Sequence, residues 1–287
     1  MQLSASPLVS IVTPVYNGAR YLEDLIQSVL KQDYPHIEHI VIDDGSNDDG
    51  ATVAVLKRYP HLRWWSRDNR GQYPTINEGM AAARGDILGV ICADDAYAVP
   101  SAISSVVDYW RTHPECAAVY GRVLAMDANG VPWQFQPHDV AAPFPLWFLR
   151  YHTTIAHCSL FVSRDIVVQR QVWFDPETRY NGDRDWILRL YLTGLPFGFV
   201  DRALSMYRRH DGQTIHLASV KALADERKRL MRRSGASSFV GGLVHLYIAG
   251  YKTCHALRVG GLRGLRNLLR DWRHLRRATG CEGERGR

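Results

Sequence analysis

Apolar and polar positions divide the first 113 residues into short apolar runs alternating with amphipathic stretches. Residues 8–13 form a β-rich apolar run closed by Pro14. After Asn17-Gly18, residues 19–32 place Leu22, Leu25, Ile26, Val29 and Leu30 on one helical face. The same reading predicts strands over 37–42, 62–66 and 87–92 and helices over 52–59, 73–84 and 100–113, the last with Pro100 in its first turn. Four strand–helix alternations in this span predict an α/β fold. Its central sheet is expected to be mostly parallel, with helices on both faces.

Ligands of such sheets bind beyond the carboxyl ends of the strands. The polar clusters Thr13–Asn17, Asp43–Ser46 and Asp94-Asp95 all fall at such ends. After Gly121 the alternation breaks. Residues 142–151 are apolar and aromatic, 183–192 predict a helix and 197–207 a strand. This half is expected to pack on the sheet and shape an acceptor pocket.

The 287 residues suffice for one large domain with an appendage. A 46% hydrophobic and 22% charged composition is ordinary for a soluble globular chain. The formal charge of +6 is unevenly spread. From Ala236 onward ten Lys and Arg face three Asp and Glu, leaving 25 basic and 26 acidic residues in the first 235. A nucleic-acid enzyme carries basic charge around its cleft, so no nucleic-acid partner is expected. Five scattered cysteines without a CxxC pair, and an N-terminus without a basic and apolar leader, point to a reducing cytoplasm. His157-Cys158 reads as a small buried thiol beside a histidine.

Four constellations carry candidate chemistry. Thr13, Pro14 and Tyr16 with Asp43 and Asp44 could hold a nucleobase by stacking and by carboxylate acceptance of a ring N–H. The plainer reading of Asp43–Ser46 is a turn and helix cap. Asp94 and Asp95 repel each other and gain from a hard cation, Mn²⁺ or Mg²⁺, that also bridges a diphosphate. Asp183, at the start of a helix, could take a proton from an acceptor hydroxyl, or serve only as favourable charge at a helix N-terminus. The Tyr207–His210 segment offers arginines for phosphate and an imidazole for metal. No GxGxxG follows the first strand and no GxxxxGK[ST] exists, which removes the dinucleotide and P-loop readings.

The ordered set Val9–Asn17, Ile42–Ser46, Asn77-Glu78-Gly79, Gly85-Asp86-Ile87 and Asp94-Asp95 resembles glycosyltransferase family 2, with a GT-A fold, over residues 8 to about 212. The resemblance implies that Thr13, Pro14, Tyr16, Asp43, Asp44, Asn77 and Asp94 bind the nucleotide-sugar. It implies that Asp95 and His210 bind the metal and that Asp183 is the general base. It further implies inverting transfer of a single sugar, from a UDP-sugar before other donors, in cell-surface polysaccharide or glycolipid assembly. The QxxRW signature of processive synthases is absent. Many family members have Glu-Asp where this chain has Gly182-Asp183. Alternatives are a nucleotidyltransferase, which lacks its basic Gly-rich loop here, and an inactive scaffold that binds sugar-nucleotides.

Residues 1–215 are expected to form the catalytic domain, with a nucleotide-sugar half at 1–121 and an acceptor half at 122–215. Residues 216–287 would be a basic helical extension. Within it, Leu262, Leu265, Leu268, Leu269, Trp272 and Leu275 share a helical arc beside Arg263, Arg266, Arg270, Arg273 and Arg277. That pattern suits an anionic membrane surface, or packing on the core. Such an enzyme would sit peripherally on the inner face of the cell membrane and act on a lipid-linked or saccharide acceptor.

Overall fold

The computed structural model describes Ser4, residues 6–135, 146–152 and 155–213, and residues 219–254 except 238, 245 and 252. One nine-stranded sheet organises it. The strands are β1 (Val9–Val15), β2 (Ile37–Asp43), β3 (Arg63–Ser66), β4 (Ile87–Val90), β5 (Ala96–Tyr97), β6 (Ala118–Met126), β7 (Pro132–Phe135), β8 (Leu160–Ser163) and β9 (Phe197–Arg208). Their order is β3-β2-β1-β4-β8-β6-β9-β5, with β7 added on β6. The helices are α1 (Leu22–Leu30), α2 (Ala51–Lys57), α3 (Gln72–Ala82), α4 (Ala102–Thr112), α5 (Arg164–Gln169), α6 (Gly182–Tyr191) and α7 (Val220–Arg233).

The continuous apolar runs of the central strands follow from burial on both faces. Val9, Ile11, Val41 and Ile87 face a core shared with α1, α2 and α4, centred on Leu25, Leu56 and Trp110. Their neighbours Val12, Ile40, Ile42 and Leu88 face the opposite core, where Ile76 and Met80 of α3 meet Trp186 and Ile187 of α6. The predicted apolar face of α1 is buried except for Leu30, which is exposed.

Pro14 does not end β1; the strand runs on to Val15 in register with β2. The register with β4 stops at Val12, where the Ile91 N–H reaches the Val12 carbonyl. Pro14 lies on the β4-facing side just past that end, so its missing N–H removes no ladder bond.

Half of the sheet is parallel as expected, β3-β2-β1-β4. The other half is mixed. β8 runs antiparallel between β4 and β6, and β9 is parallel to β6 but antiparallel to β5. The strands β6 and β8 lie where the alternation of the sequence breaks. Asn77, Glu78 and Gly79 join the two halves. The Asn77 amide donates to and accepts from the backbone of Phe174 (2.8 and 2.9 Å), and Glu78 takes the Trp65 indole N–H and the Arg67 guanidinium. A side chain at Gly79 would meet Val12 at 2.4 Å, so α3 lies hard against β1.

Helix α7 is tied to the loop that precedes α6. Glu226 of α7 is buried and receives the backbone N–H groups of Arg179, Tyr180 and Asn181 (2.7–3.1 Å). Residues 239–244, 246–251 and 253–254 are helical, and their Val244 and Ile248 pack on Phe148 and Tyr151. The Leu/Trp and Arg arcs of 262–277 lie outside the described residues, as do 142–145 of the apolar aromatic segment.

Candidate active site

The chain turns sharply after β4. Asp94 and Asp95 occupy the turn, β5 follows, and the end of β9 lies alongside. Arg208, almost wholly buried, organises this turn. Its backbone N–H donates to Asp95 Oδ1 (3.0 Å), its Nε to the Asp94 carbonyl (2.8 Å) and its Nη2 to Asp24 (2.8 Å), and its guanidinium lies 4.5 Å from the Tyr21 ring centroid. These engagements leave Arg208 as scaffold; it is not available to bind phosphate. Two residues on, His210 Nε2 meets Asp94 Oδ2 at 3.1 Å.

Asp95 is buried and its Oδ2 has no hydrogen-bond donor. Burial, then the charge of Asp94, push its pKa well above the usual carboxylate range, against the pull of Arg208. An orphaned buried carboxylate oxygen beside a second carboxylate and an imidazole fits a hard divalent cation. Asp95 with Asp94 or His210 would hold it.

The nucleotide-side residues are arranged less uniformly. Asp43, at the end of β2, is buried and accepts from the hydroxyls of Ser46 and Ser66. Asp44 is buried against Arg67 and accepts the N–H groups of Arg70 and Gly71 (2.8 and 3.0 Å). Asp44 thus shapes the 67–71 loop. The Thr13 side chain is buried against His39, at 3.1 Å, and points into the molecule. Asn77 spends its amide on Phe174, which replaces its expected contact with the nucleotide by a packing role. Tyr16 is half exposed, with its hydroxyl near Asn47 (3.3 Å), free to stack.

Asp183 stands on the first turn of α6, partly exposed. The loop before it is held by Glu226, and the Gly182 N–H donates to the Tyr73 hydroxyl at 3.0 Å. His157, on a short 3₁₀ turn before β8, bridges Asp183 to the acidic turn. Its Nδ1 lies 3.6 Å from Asp183 Oδ2 and its Nε2 3.4 Å from the Cys92 sulfur. Burial alone would raise the Asp183 pKa; hydrogen bonding to and charge on His157, with the Arg184 N–H and charge, bring it below the ordinary range. Burial and the surrounding carboxylates push the Cys92 thiol well up.

Sequence reading missed His157 as a site residue, and also Cys92, Tyr73 and Glu226. Only the histidine carried a chemical signal. Its relevance depends on β8, which sequence did not predict, lying next to β4. A cavity of about 450 Å³ lined by Asp24, Tyr97, Asn129 and Arg208 lies behind the scaffold arginine and includes none of the acidic site residues.

The fold is of the GT-A glycosyltransferase type. Staphylococcus aureus TarS (residues 1–349), solved with UDP-GlcNAc, superposes with a TM-score of 0.65 at 18% identity, over 92% of this chain and 80% of that one. A mannosyltransferase of Pyrobaculum calidifontis, in complex with GDP-Man and Mn²⁺, gives a TM-score of 0.57 at 18% identity, over 95% and 81%. The sequence pattern of glycosyl transferase family 2 matches residues 10–186, and the chain belongs to that family. An uncharacterized glycosyltransferase of Rickettsia typhi is 30% identical over 227 residues, 76% of this chain and 69% of its own length. The Escherichia coli chondroitin synthase is 32% identical over 132 residues, 45% of this chain and 19% of its own. The chain spans about a fifth of the longer curated relatives it matches, and about two thirds of the shorter ones.

Proposed function

We propose that this chain is a metal-dependent, inverting glycosyltransferase. It would move one hexosyl unit from a UDP-sugar to a hydroxyl of a lipid-linked or saccharide acceptor, in cell-surface polysaccharide or glycolipid assembly. The observation that carries this reading is the link through His157, which joins Asp183 to the turn bearing Asp94 and Asp95. A carboxylate and a turn that would hold a cation thereby lie close together beyond the carboxyl end of β4.

In this mechanism Tyr16 stacks on the base, and Asp43 and Asp94 address the nucleoside. Asp183 faces the acceptor hydroxyl. Its pKa lies below the ordinary carboxylate range, so it is ionised at neutral pH but weakly basic. It therefore takes the proton late, once the attacking oxygen has begun to bond to the anomeric carbon and has become acidic. Attack comes from the face opposite the diphosphate, through an oxocarbenium-like transition state. A divalent cation held by Asp95, when bound, supplies positive charge for the departing diphosphate. His157, Tyr73 and Glu226 fix where the Asp183 carboxylate points.

A panel of nucleotide-sugars, scored by thermal stabilisation and donor hydrolysis with Mn²⁺ or with EDTA, tests the reading. One donor class should stabilise the protein only when metal is present. Stabilisation by no donor, or equal stabilisation in EDTA, overturns it. The Mn²⁺ complex of the Pyrobaculum mannosyltransferase supports metal dependence.

A further inference from the structure

Cys92, His157 and Asp95 converge just beyond the carboxyl end of β4. One ligand atom from each lies within 4.8 Å of the others. We infer that these three side chains form a binding site for a thiophilic divalent cation of the zinc class, set apart by its cysteine ligand from a donor-bound Mn²⁺ or Mg²⁺ held by Asp95 with Asp94 or His210. The site shares Asp95 with the proposed donor metal but does not depend on the chain being a transferase.

Zinc bonds to thiolate sulfur at ~2.3 Å and to imidazole nitrogen at ~2.0 Å with tetrahedral angles, which separates the two ligand atoms by about 3.5 Å. The Cys92 sulfur and His157 Nε2 are 3.4 Å apart. The pair is thus already spaced for an ion between them. Asp95 is buried; its Oδ1 holds the Arg208 N–H and the weak S–H of Cys158 is a further partner of the carboxylate, while Oδ2 accepts no close hydrogen bond. A thiolate and a carboxylate together balance a divalent charge.

The surroundings match what such a site needs beyond its ligands. His157 turns Nδ1 toward the Asp183 carboxylate at 3.6 Å, and a neutral ring with its proton on that side presents the Nε2 lone pair to Cys92. Gln72 Nε2 donates to the Cys92 sulfur at 3.3 Å and fixes where it points. Three protein ligands leave the fourth tetrahedral position open to water or to a donor oxygen. An ion here engages Asp95 and His157 at once, so it competes with the hard cation of the donor site.

The test titrates the full chain, without nucleotide, with Zn²⁺ by calorimetry and with Co²⁺ by absorption. Wild type should take up one ion and show a thiolate-to-Co²⁺ charge-transfer band. Cys92→Ser should lose the band and weaken Zn²⁺ by about 100-fold or more, and His157→Gln should weaken it comparably. Asp183→Asn should weaken it by about 10–100-fold through the histidine. No band in wild type, or Zn²⁺ affinity unchanged in both Cys92→Ser and His157→Gln, overturns the site. A melting curve for each variant establishes that it is folded. Mn²⁺-dependent nucleotide stabilisation of wild type, measured separately, shows whether the donor reading stands or falls on its own.

Discussion

The ring of Tyr73 fills the space that a side chain on residue 182 would need. A Cβ built on Gly182 lies 2.5 Å from that ring, while the Tyr73 hydroxyl accepts the Gly182 N–H. Tyr73 in turn stacks on Phe174, and Phe174 on Trp186 of α6. The chain's Gly182-Asp183, where the family commonly has Glu-Asp, is therefore one half of a pair with Tyr73. Gly182→Ala should destabilise the protein by about 1–3 kcal/mol through overpacking, read as a lower melting temperature. Tyr73→Ala should make the added methyl far less costly, so the double variant should lose less than the sum of the singles. Strict additivity would show that the ring and the glycine are not coupled.

Asp183→Asn should leave donor binding nearly unchanged and slow transfer by ~10²-fold or more, as expected for loss of a general base. Asp185, two residues further along the chain but buried against Arg189 (2.7 Å), should not substitute for it. Glu226→Gln should lower kcat with little effect on donor affinity, because it loosens the 179–181 backbone ahead of Asp183. Near-normal transfer by Asp183→Asn would remove Asp183 from the role of base.

Much of this was legible from spacing alone. Apolar runs ending in polar clusters located β1, β2 and β4 and the three polar clusters at their carboxyl ends, two of them acidic, because parallel strands buried on both faces leave continuous apolar signatures. The role of Asn77 was not legible. Its partner is the backbone of Phe174, 97 residues away, and a backbone carbonyl leaves no mark in sequence. The DDGS turn hid a division of labour. Asp43 and Asp44 are adjacent, yet Asp44 faces Arg67 and the N–H groups of the 70–71 loop, contacts fixed by where β3 lies beside β2. His157 was invisible for the same reason, since only the tertiary placement of β8 beside β4 brings it to Cys92.

His39 makes the fold acid-sensitive. It lies fully buried on β2, bonded through Nε2 to Thr13, with Nδ1 unpartnered. Burial, with a smaller contribution from His61, lowers its pKa from 6.5 to about 3. The unfolded chain binds a proton below pH ~6.5 that the folded protein refuses until about pH 3, so stability falls as pH falls through that window and is flat above it. One such proton contributes a slope of up to about 1.4 kcal/mol per pH unit. Chemical denaturation between pH 7 and 5 should show this loss in wild type and a shallower one in His39→Gln. Equal slopes would assign the acid sensitivity to other groups.

No helix among the described residues is long and apolar enough to cross a membrane. The helical residues between 239 and 251 nevertheless present Phe239, Leu243 and Leu246 to solvent, with Phe239 76% exposed, while Val244, Tyr247 and Ile248 meet Phe148 and Tyr151. The basic excess follows them in sequence, ten Lys and Arg against three acids from Ala236 onward. Exposed apolar residues beside concentrated positive charge favour an anionic bilayer surface, at about 1 kcal/mol per basic residue near it, a contribution that salt screens. Removing residues 259–287 should therefore abolish flotation with phosphatidylserine liposomes and leave the melting temperature unchanged. Phe239→Ser with Leu246→Ser should weaken flotation while the Val244 and Ile248 contacts keep the helix in place. The competing arrangement, in which the Leu262–Leu275 arc covers the catalytic domain, gives the opposite pair of results: truncation lowers the melting temperature and exposes apolar surface that aggregates. Flotation and melting measured on the same truncated protein decide between them, because an anchor and a core helix cannot both be dispensable to folding and required for it.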